Sequence, residues 1–256
     1  MSIFNKVLAS VGIGSAKVDT VLEKNLYTAG ETVYGKVVIQ GGNTEQEIDS
    51  INLALKTKYL KEFNDSKYYE DGIICSFAIT ESFTIKADER KEIPFNFQIP
   101  YLTPVSIGKS KIWLHTGLDI SMALDPTDED YITVQPSPLA QSVLDSVNSL
   151  GFRLVEVENE KPSRGLGANT AFIQEFEYRP TGEFRNYLDE LELTFIRQSA
   201  DEATFVMQVD RRARGLSGLF SEALEMDETF VRVTVTTQDI PNMRSLVENT
   251  IRRYMK

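Results

Sequence analysis

The chain has 256 residues and a mass of 28.9 kDa, enough for one large β domain or two medium ones. With 27 basic against 38 acidic residues the net charge is −11, which disfavours nucleic-acid binding through phosphate neutralisation. One cysteine (Cys75) and one histidine (His115) exclude a disulfide framework, an all-cysteine zinc site and any site built on two or three histidines.

No run approaches the roughly 20 apolar residues of a membrane span. The first segment, Ser2 to Val11, places Ile3, Phe4, Val7, Leu8 and Val11 on one stripe of a short helix that Gly12 and Gly14 stop. Lys6 lies among these apolar positions, unlike the order of a signal peptide, so the expected location is cytoplasmic. From Ala16 the period becomes two. Val18, Thr20 and Leu22 alternate with polar neighbours, and a turn follows at Tyr27-Thr28-Ala29-Gly30-Glu31. Val33, Gly35, Val37 and Ile39 alternate again up to Gly41-Gly42. Ile51, Leu53, Leu55, Thr57 and Tyr59 form one face of the next strand. Ile73, Cys75, Phe77 and Ile79, then Phe83 and Ile85, then Ile93, Phe95, Phe97 and Ile99 continue the series. Ile112, Leu114, Thr116, Leu118 and Ile120 close it. Strict alternation predicts antiparallel strands with one buried face, as in a sandwich, and the absence of intervening helical patterns argues against βαβ units.

Asp125-Pro126-Thr127-Asp128-Glu129-Asp130 reads as a polar break, dividing the chain into domains 1–126 and 127–256. The first half holds 13 basic and 16 acidic residues and the second 14 and 22, so both halves are acidic, at −3 and −8. The second half opens with a strand at Tyr131 to Gln135 and a helix. Ser137 is placed to cap that helix, Pro138 suits its first turn and Gly151 ends it. Strands are expected at Phe152 to Val157, Phe172 to Tyr178, Leu188 to Arg197 and Ala203 to Arg212, the last two joined by a hairpin at Ser199-Ala200-Asp201. A further strand covers Phe230 to Thr236. A final helix carries Met243, Leu246, Val247, Ile251 and Tyr254, with Glu248 and Arg252 as an i,i+4 pair.

Catalytic chemistry finds little support. His115 shares a strand face with Trp113 and Asp119, and Ser106 or Ser121 completes a triad on paper. No nucleophile elbow accompanies them, so a strand histidine is the expected reading. Cys75, between Ile73 and Phe77, reads as an apolar buried cysteine rather than a reactive thiol. Asp125, Asp128, Glu129 and Asp130 do not have the spacing of a calcium loop and read as solvated linker. Neither Gly12-Ile13-Gly14 nor Gly165-Leu166-Gly167 has the context of a phosphate loop. No cofactor and no metal site is expected.

The unusual segment is Arg211 to Glu228. Three arginines (Arg211, Arg212 and Arg214) precede Leu216, Leu219, Phe220, Leu224 and Met226. A helical cover on the end of the fold is the plain reading. The functional one is a partner-binding patch formed by Arg211, Arg212, Arg214, Leu216, Leu219 and Phe220, the arginines suiting an acidic segment of the partner.

Two motif sets carry a family resemblance. Tyr27-x-x-Gly30-Glu31-x-Val33-x-Gly35-x-Val37, Ile93-Pro94-Phe95-x-Phe97-x-Ile99-Pro100, and Ser106-x-Gly108 leading into Ile112-Trp113-Leu114 resemble the arrestin fold family. Gly12-Ile13-Gly14-x-Ala16-Lys17-Val18-Asp19-Thr20 with Asp210-Arg211-Arg212-Ala213-Arg214-Gly215-Leu216 is similar, across nearly the whole chain, to the bacterial sporulation-control protein M family. The resemblance implies an all-β fold of two tandem arrestin-like sandwich lobes with short helices at the N-terminus, after the linker and at the C-terminus. It also implies a non-enzymatic regulator acting on cell development, with cell-division or cytoskeletal proteins as partners. The charged network through which arrestins sense phosphorylated receptors is not matched here, and that mechanism is not carried over. Edge strands offer a route to a homodimer. The competing reading is a peripheral membrane adaptor using the N-terminal stripe or loop 213–226. A charge of −11 opposes contact with anionic lipid.

Overall fold

The computed structural model describes residues 15–63, 66–121, 124–162, 166, 168, 170–211 and 228–255. Alternating sequence becomes strand along most of this length. The strands of the first part are β1 (Lys17–Leu22), β2 (Leu26–Thr28), β3 (Thr32–Gln40), β4 (Gln46–Phe63), β5 (Ser66–Ala78), β6 (Phe83–Ile85), β7 (Arg90–Gln98), β8 (Ile112–Ile120) and β9 (Thr127–Gln135). Helix α1 (Pro138–Ser149) follows, then β10 (Phe152–Glu160), β11 (Ile173–Pro180), β12 (Leu188–Gln198), β13 (Glu202–Arg211), β14 (Glu228–Thr236) and helix α2 (Met243–Tyr254). The expected N-terminal helix and most of the 211–226 segment lie outside the described residues.

A three-stranded sheet has the order β1-β3-β7. A larger sheet runs β14-β13-β12-β11-β10-β4-β8-β9-β2, with β5 and β6 also paired to β4. The buried apolar residues fall into two clusters. In the first, Val33, Val37 and Ile39 meet Ile51, Leu53, Leu55, Leu114, Leu118, Ile132 and Val134. In the second, α1 and α2 lie against the strands from β10 onward, and Val143, Val147, Val247 and Ile251 meet Phe176, Leu191, Leu193, Met207 and Val209. Each such fully buried side chain contributes roughly 1.5–3 kcal/mol.

Local chemistry explains the helix ends. Ser137 Oγ accepts from the Ala140 amide, Pro138 occupies the first turn, and Gly151 adopts φ +85° just beyond the last turn. On α2, Met243, Val247 and Ile251 are the buried stripe, and Glu248 accepts from Arg252 at 2.9 Å.

Two expectations are corrected. The acidic stretch expected to be a solvated linker enters strand β9 at Thr127, and that strand pairs with β8 from Ile112↔Ile132 to Gly117↔Thr127. Its Ile132 and Val134 belong to the first core. Its aspartates are structural acceptors. Asp128 Oδ2 takes the Thr20 amide of β1 at 2.7 Å, and Asp125 Oδ1 takes that of Ile120 at 3.0 Å. The second correction concerns β5. A bulge places Cys75 opposite Leu55 and Ile73 opposite Lys56, leaving Ile74 as the extra residue. One inserted residue moves everything beyond it to the other face, so Ile73 stands 58% exposed instead of sharing a buried face with Phe77.

The two cores are joined at β4. On one of its edges β8 begins at Ile112, opposite Thr57, and β10 ends at Glu160, opposite Leu60. The Asn159 side chain fills the gap between them. Its Nδ2 lies 3.0 Å from Thr57 Oγ1, the Lys58 carbonyl and Ser110 Oγ, all at buried or part-buried positions. Nearby, Gln174 donates to the Val105 carbonyl at 2.9 Å and accepts the Val105 amide at 2.8 Å. Replacing Asn159 by Ala strands the Lys58 carbonyl, a buried loss of about 1–3 kcal/mol. We therefore expect Asn159→Ala to lower the chemical-denaturation midpoint by that amount; a midpoint equal to wild type would place the strength of the joint elsewhere.

Candidate functional site

The residues of the triad drawn on paper are not brought together, and His115 stands in strand β8. His115 faces Glu129 across the β8–β9 ladder, with Nδ1 3.7 Å from the carboxylate. Asp119 stands four residues further along the same strand, about 13 Å away. Ser121 Oγ donates to Asp49, and Ser106 Oγ accepts the Val134 amide. Trp113 is buried beside Tyr131, its ring under Lys58. Cys75 is half-buried against the first core, and burial pushes its thiol up, away from the reactive thiolate.

Of the predicted partner-binding residues, Arg212, Arg214, Leu216, Leu219 and Phe220 lie outside the described residues, and Arg211 is described only as the last backbone position of β13. The cavity between the two cores measures about 40 Å³, room for a water molecule rather than a metabolite.

What the structure assembles instead is a carboxylate face. Along β10, β11 and β12 alternate residues are glutamates: Glu156, Glu158 and Glu160, then Glu175 and Glu177, then Glu190 and Glu192. Their neighbours Val157, Phe176, Leu191 and Leu193 point the other way into the core. Cross-strand register sets like charges opposite one another, Glu156 with Glu177, Glu158 with Glu175, and Glu177 with Glu192. Such pairs oppose strand pairing, and the fold compensates them locally. Lys109 Nζ lies 3.2 Å from Glu156 and 3.7 Å from Glu158. Arg179 bridges Glu177 at 3.3 Å and Glu190 at 3.9 Å. Tyr69 donates to Glu158 at 2.7 Å.

The remaining strain appears as proton affinity. Burial, then the surrounding carboxylates, pushes Glu175 up to about 8, and burial also pushes its neighbour Glu160 up. Burial and Glu177 push Glu190 up to about 7. In the first core, burial together with Asp128 and Asp19 pushes Asp130 up to about 6. The alternating glutamates were visible in the sequence as a period-two acidic pattern. That three strands would stack them in register was not.

Fold and surface together describe a β-rich protein that presents a charged sheet face, with no assembled catalytic group among its described residues. Comparison with known proteins gives the family: the chain belongs to the Spo0M family, whose model, described as SpoOM protein, matches residues 4–213. It is 41% identical over 249 residues to the sporulation-control protein Spo0M of Bacillus subtilis (strain 168), covering 97% of this chain and 96% of that protein. A crystal structure of Spo0M from Bacillus subtilis superposes with a TM-score of 0.83 at 37% identity, covering 94% of this chain and 100% of that one. The chain is a homologue of a sporulation-control protein.

A carboxyl group that holds its proton more tightly when folded destabilises the fold once ionised. For Glu175 and Glu190 that cost is complete above about pH 8, falls as pH drops through their native values, and vanishes below the ordinary value of 4.5. Thermal stability is therefore expected to rise between pH 8.5 and pH 6. Glu175→Gln should raise the melting temperature at pH 8.5 and flatten the rise, as differential scanning calorimetry would show. A variant with the wild-type pH slope would exclude Glu175 as the source.

Proposed function

We propose that this chain is a non-enzymatic regulator of the sporulation-control type, acting by binding other proteins in the cytoplasm without a cofactor. The observation that carries this reading is the correspondence with the sporulation-control protein over 97% of one chain and 96% of the other. That correspondence makes a shared role of the whole protein the simplest account. The two hydrophobic clusters support describing the chain as two tandem arrestin-like lobes joined at β4. Proteins of cell division or the cytoskeleton are the proposed partners, bound through sheet edges and connecting loops. The segment 211–226 is the proposed contact surface, on the strength of its arginines and apolar residues.

The test is quantitative affinity capture from the native host's lysate with wild type and the Arg211→Ala/Arg212→Ala/Arg214→Ala variant. The variant is expected to lose a defined set of proteins by at least about tenfold, an interface loss of 1.4 kcal/mol or more, at unchanged melting temperature. Identical captured sets would remove the segment as a contact surface. Capture of no protein by wild type, with binding to lipid vesicles, would replace the adaptor reading by the membrane one.

A further inference from the structure

Strand β1 pairs with β3 and, among the described residues, with no second strand. Just beyond it the Glu23 amide donates to the Tyr34 carbonyl, so odd residues of β1 bond to β3 and the backbone of even ones points away. Thr20 is the even residue that reaches the larger sheet. Its amide donates to Asp128 Oδ2 of β9 at 2.7 Å, and its hydroxyl lies 2.7 Å from that of Thr116 on β8. Both threonines are buried. Asp130 stands two residues beyond Asp128, on the same core-side face of β9 as Ile132 and Val134. Its Oδ2 is buried and meets no donor among the described residues. A buried carboxylate oxygen without a donor, beside a second carboxylate, is an arrangement that an acid proton satisfies. The charges facing Asp130 are Asp128 on its own strand and Asp19 on β1. β8 sets Leu114 and Thr116 opposite Asp130 and Asp128. Lys24 borders the same cleft but is engaged by the Glu31 carboxylate and the face of the Tyr27 ring. Glu129 and Tyr131 alternate to the outer face, where Glu129 meets His115.

We propose that Asp128 and Asp130 form a proton-operated latch between the two sheets, which holds β1 against β9 while the pair keeps a proton and lets that corner open when the proton leaves. In the closed corner Asp130 donates to Asp128, and Asp128 holds the Thr20 amide. Loss of the proton leaves two adjacent negative charges at the mouth of the first core. Asp128 then turns toward water, the Thr20 amide loses its acceptor, and the outer edge of β1 is held by the Thr20–Thr116 hydroxyl pair. A cleft of about 450 Å³ lies alongside, between Asp19 and Leu22 of β1 and Asp130 and Tyr131 of β9, and water enters the freed edge from there. The direction of the response follows from where the proton binds more tightly. Burial, Asp128 and Asp19 hold the Asp130 proton up to about pH 6 in the closed corner, against the ordinary 3.8 once the corner is open to water. Closing therefore takes up a proton and is favoured by acid. The ratio of closed to open corners falls about tenfold from pH 5 to pH 7 and is level above that.

The latch needs no partner, so purified full-length chain tests it and its outcome is separate from that of the capture experiment. The readout is amide hydrogen exchange at Thr20, followed by NMR and divided by the intrinsic rate at each pH, which reports local opening. In wild type the Thr20 protection factor should fall about tenfold from pH 5 to pH 7. Asp130→Asn replaces the acid by a side chain that donates to Asp128 at every pH. Its Thr20 protection at pH 7 should match that of wild type at pH 5 and should not change between the two. Glu175→Gln, which alters the carboxylate face of the other lobe, should leave the Thr20 response as in wild type. Asp128→Ala removes the acceptor, and Thr20 should exchange at least about tenfold faster at pH 5, while amides of β12 keep their protection and show that the fold is intact. Equal Thr20 protection at pH 5 and pH 7 in wild type would overturn the proposal. So would a pH response that survives Asp130→Asn, one that disappears in Glu175→Gln, or full Thr20 protection in Asp128→Ala.

Discussion

Everything in this molecule hangs on strand β4. Its eighteen residues pair with β5 and β6 on one edge and with β8 and β10, end to end, on the other. Two strands that share one edge of a third leave a gap where the first begins and the second ends. At that gap a backbone carbonyl of the shared strand loses its ladder partner. Here it is the Lys58 carbonyl, and the Asn159 amide takes the missing place while also reaching Thr57 and Ser110. A polar side chain is required because an apolar one would bury an unpaired carbonyl. Asn159 and, beside it, Gln174 thus tie the two cores by side-chain hydrogen bonds.

The second constraint is electrostatic. The sheet from β10 onward is stabilised on one face by Phe176, Leu191, Leu193 and Met207, and on the other it gathers glutamates in register. Like charges at ladder spacing cannot all ionise without cost, so the buried members hold protons into the neutral range while Lys109 and Arg179 neutralise those nearer solvent. The fold draws its stability from the core face. Local conflict of this kind concentrates where a surface serves a purpose other than stability.

What the sequence made legible follows from the range of the cause. Alternation in Ile51, Leu53 and Leu55 is a local signal, and all three are fully buried. The punctuation Ser137-Pro138 and Gly151 is equally local and brackets α1. The acidic run at Asp125 to Asp130 misled because its polarity was taken as solvent exposure. Asp128 turns inward to cap a strand from the other sheet, a partner 108 residues away in sequence. The register of Ile73 misled because a bulge answers to the neighbouring strand and leaves no mark in a period-two pattern. Asn159 and Gln174 were silent for the same reason. Their partners, Lys58 and Val105, lie 101 and 69 positions away. The glutamate pattern was readable strand by strand, but its stacking into one face is set by cross-strand register alone.

An unpaired strand edge is a liability that folds usually blunt. In β7 the blunting residue is Pro94, which has no amide to offer. At the side where β1 and β9 meet, Asp128 caps the Thr20 amide and Asp130 sits partly buried beside it, so inward carboxylates close the corner between the two sheets. β2 and β6 are three residues long. β5 is different. Its 13 residues contain no proline, and the bulge at Ile74 interrupts only the half nearer Ala78. The half from Ser66 to Gly72 remains regular, exposed over most of its length and balanced in charge between Lys67 and Asp71. The edges at β7, at the β1–β9 corner, at β2 and at β6 are blunted by proline, by capping or by brevity, whereas β5, like β14 at the far end of the larger sheet, keeps a regular edge among the described residues.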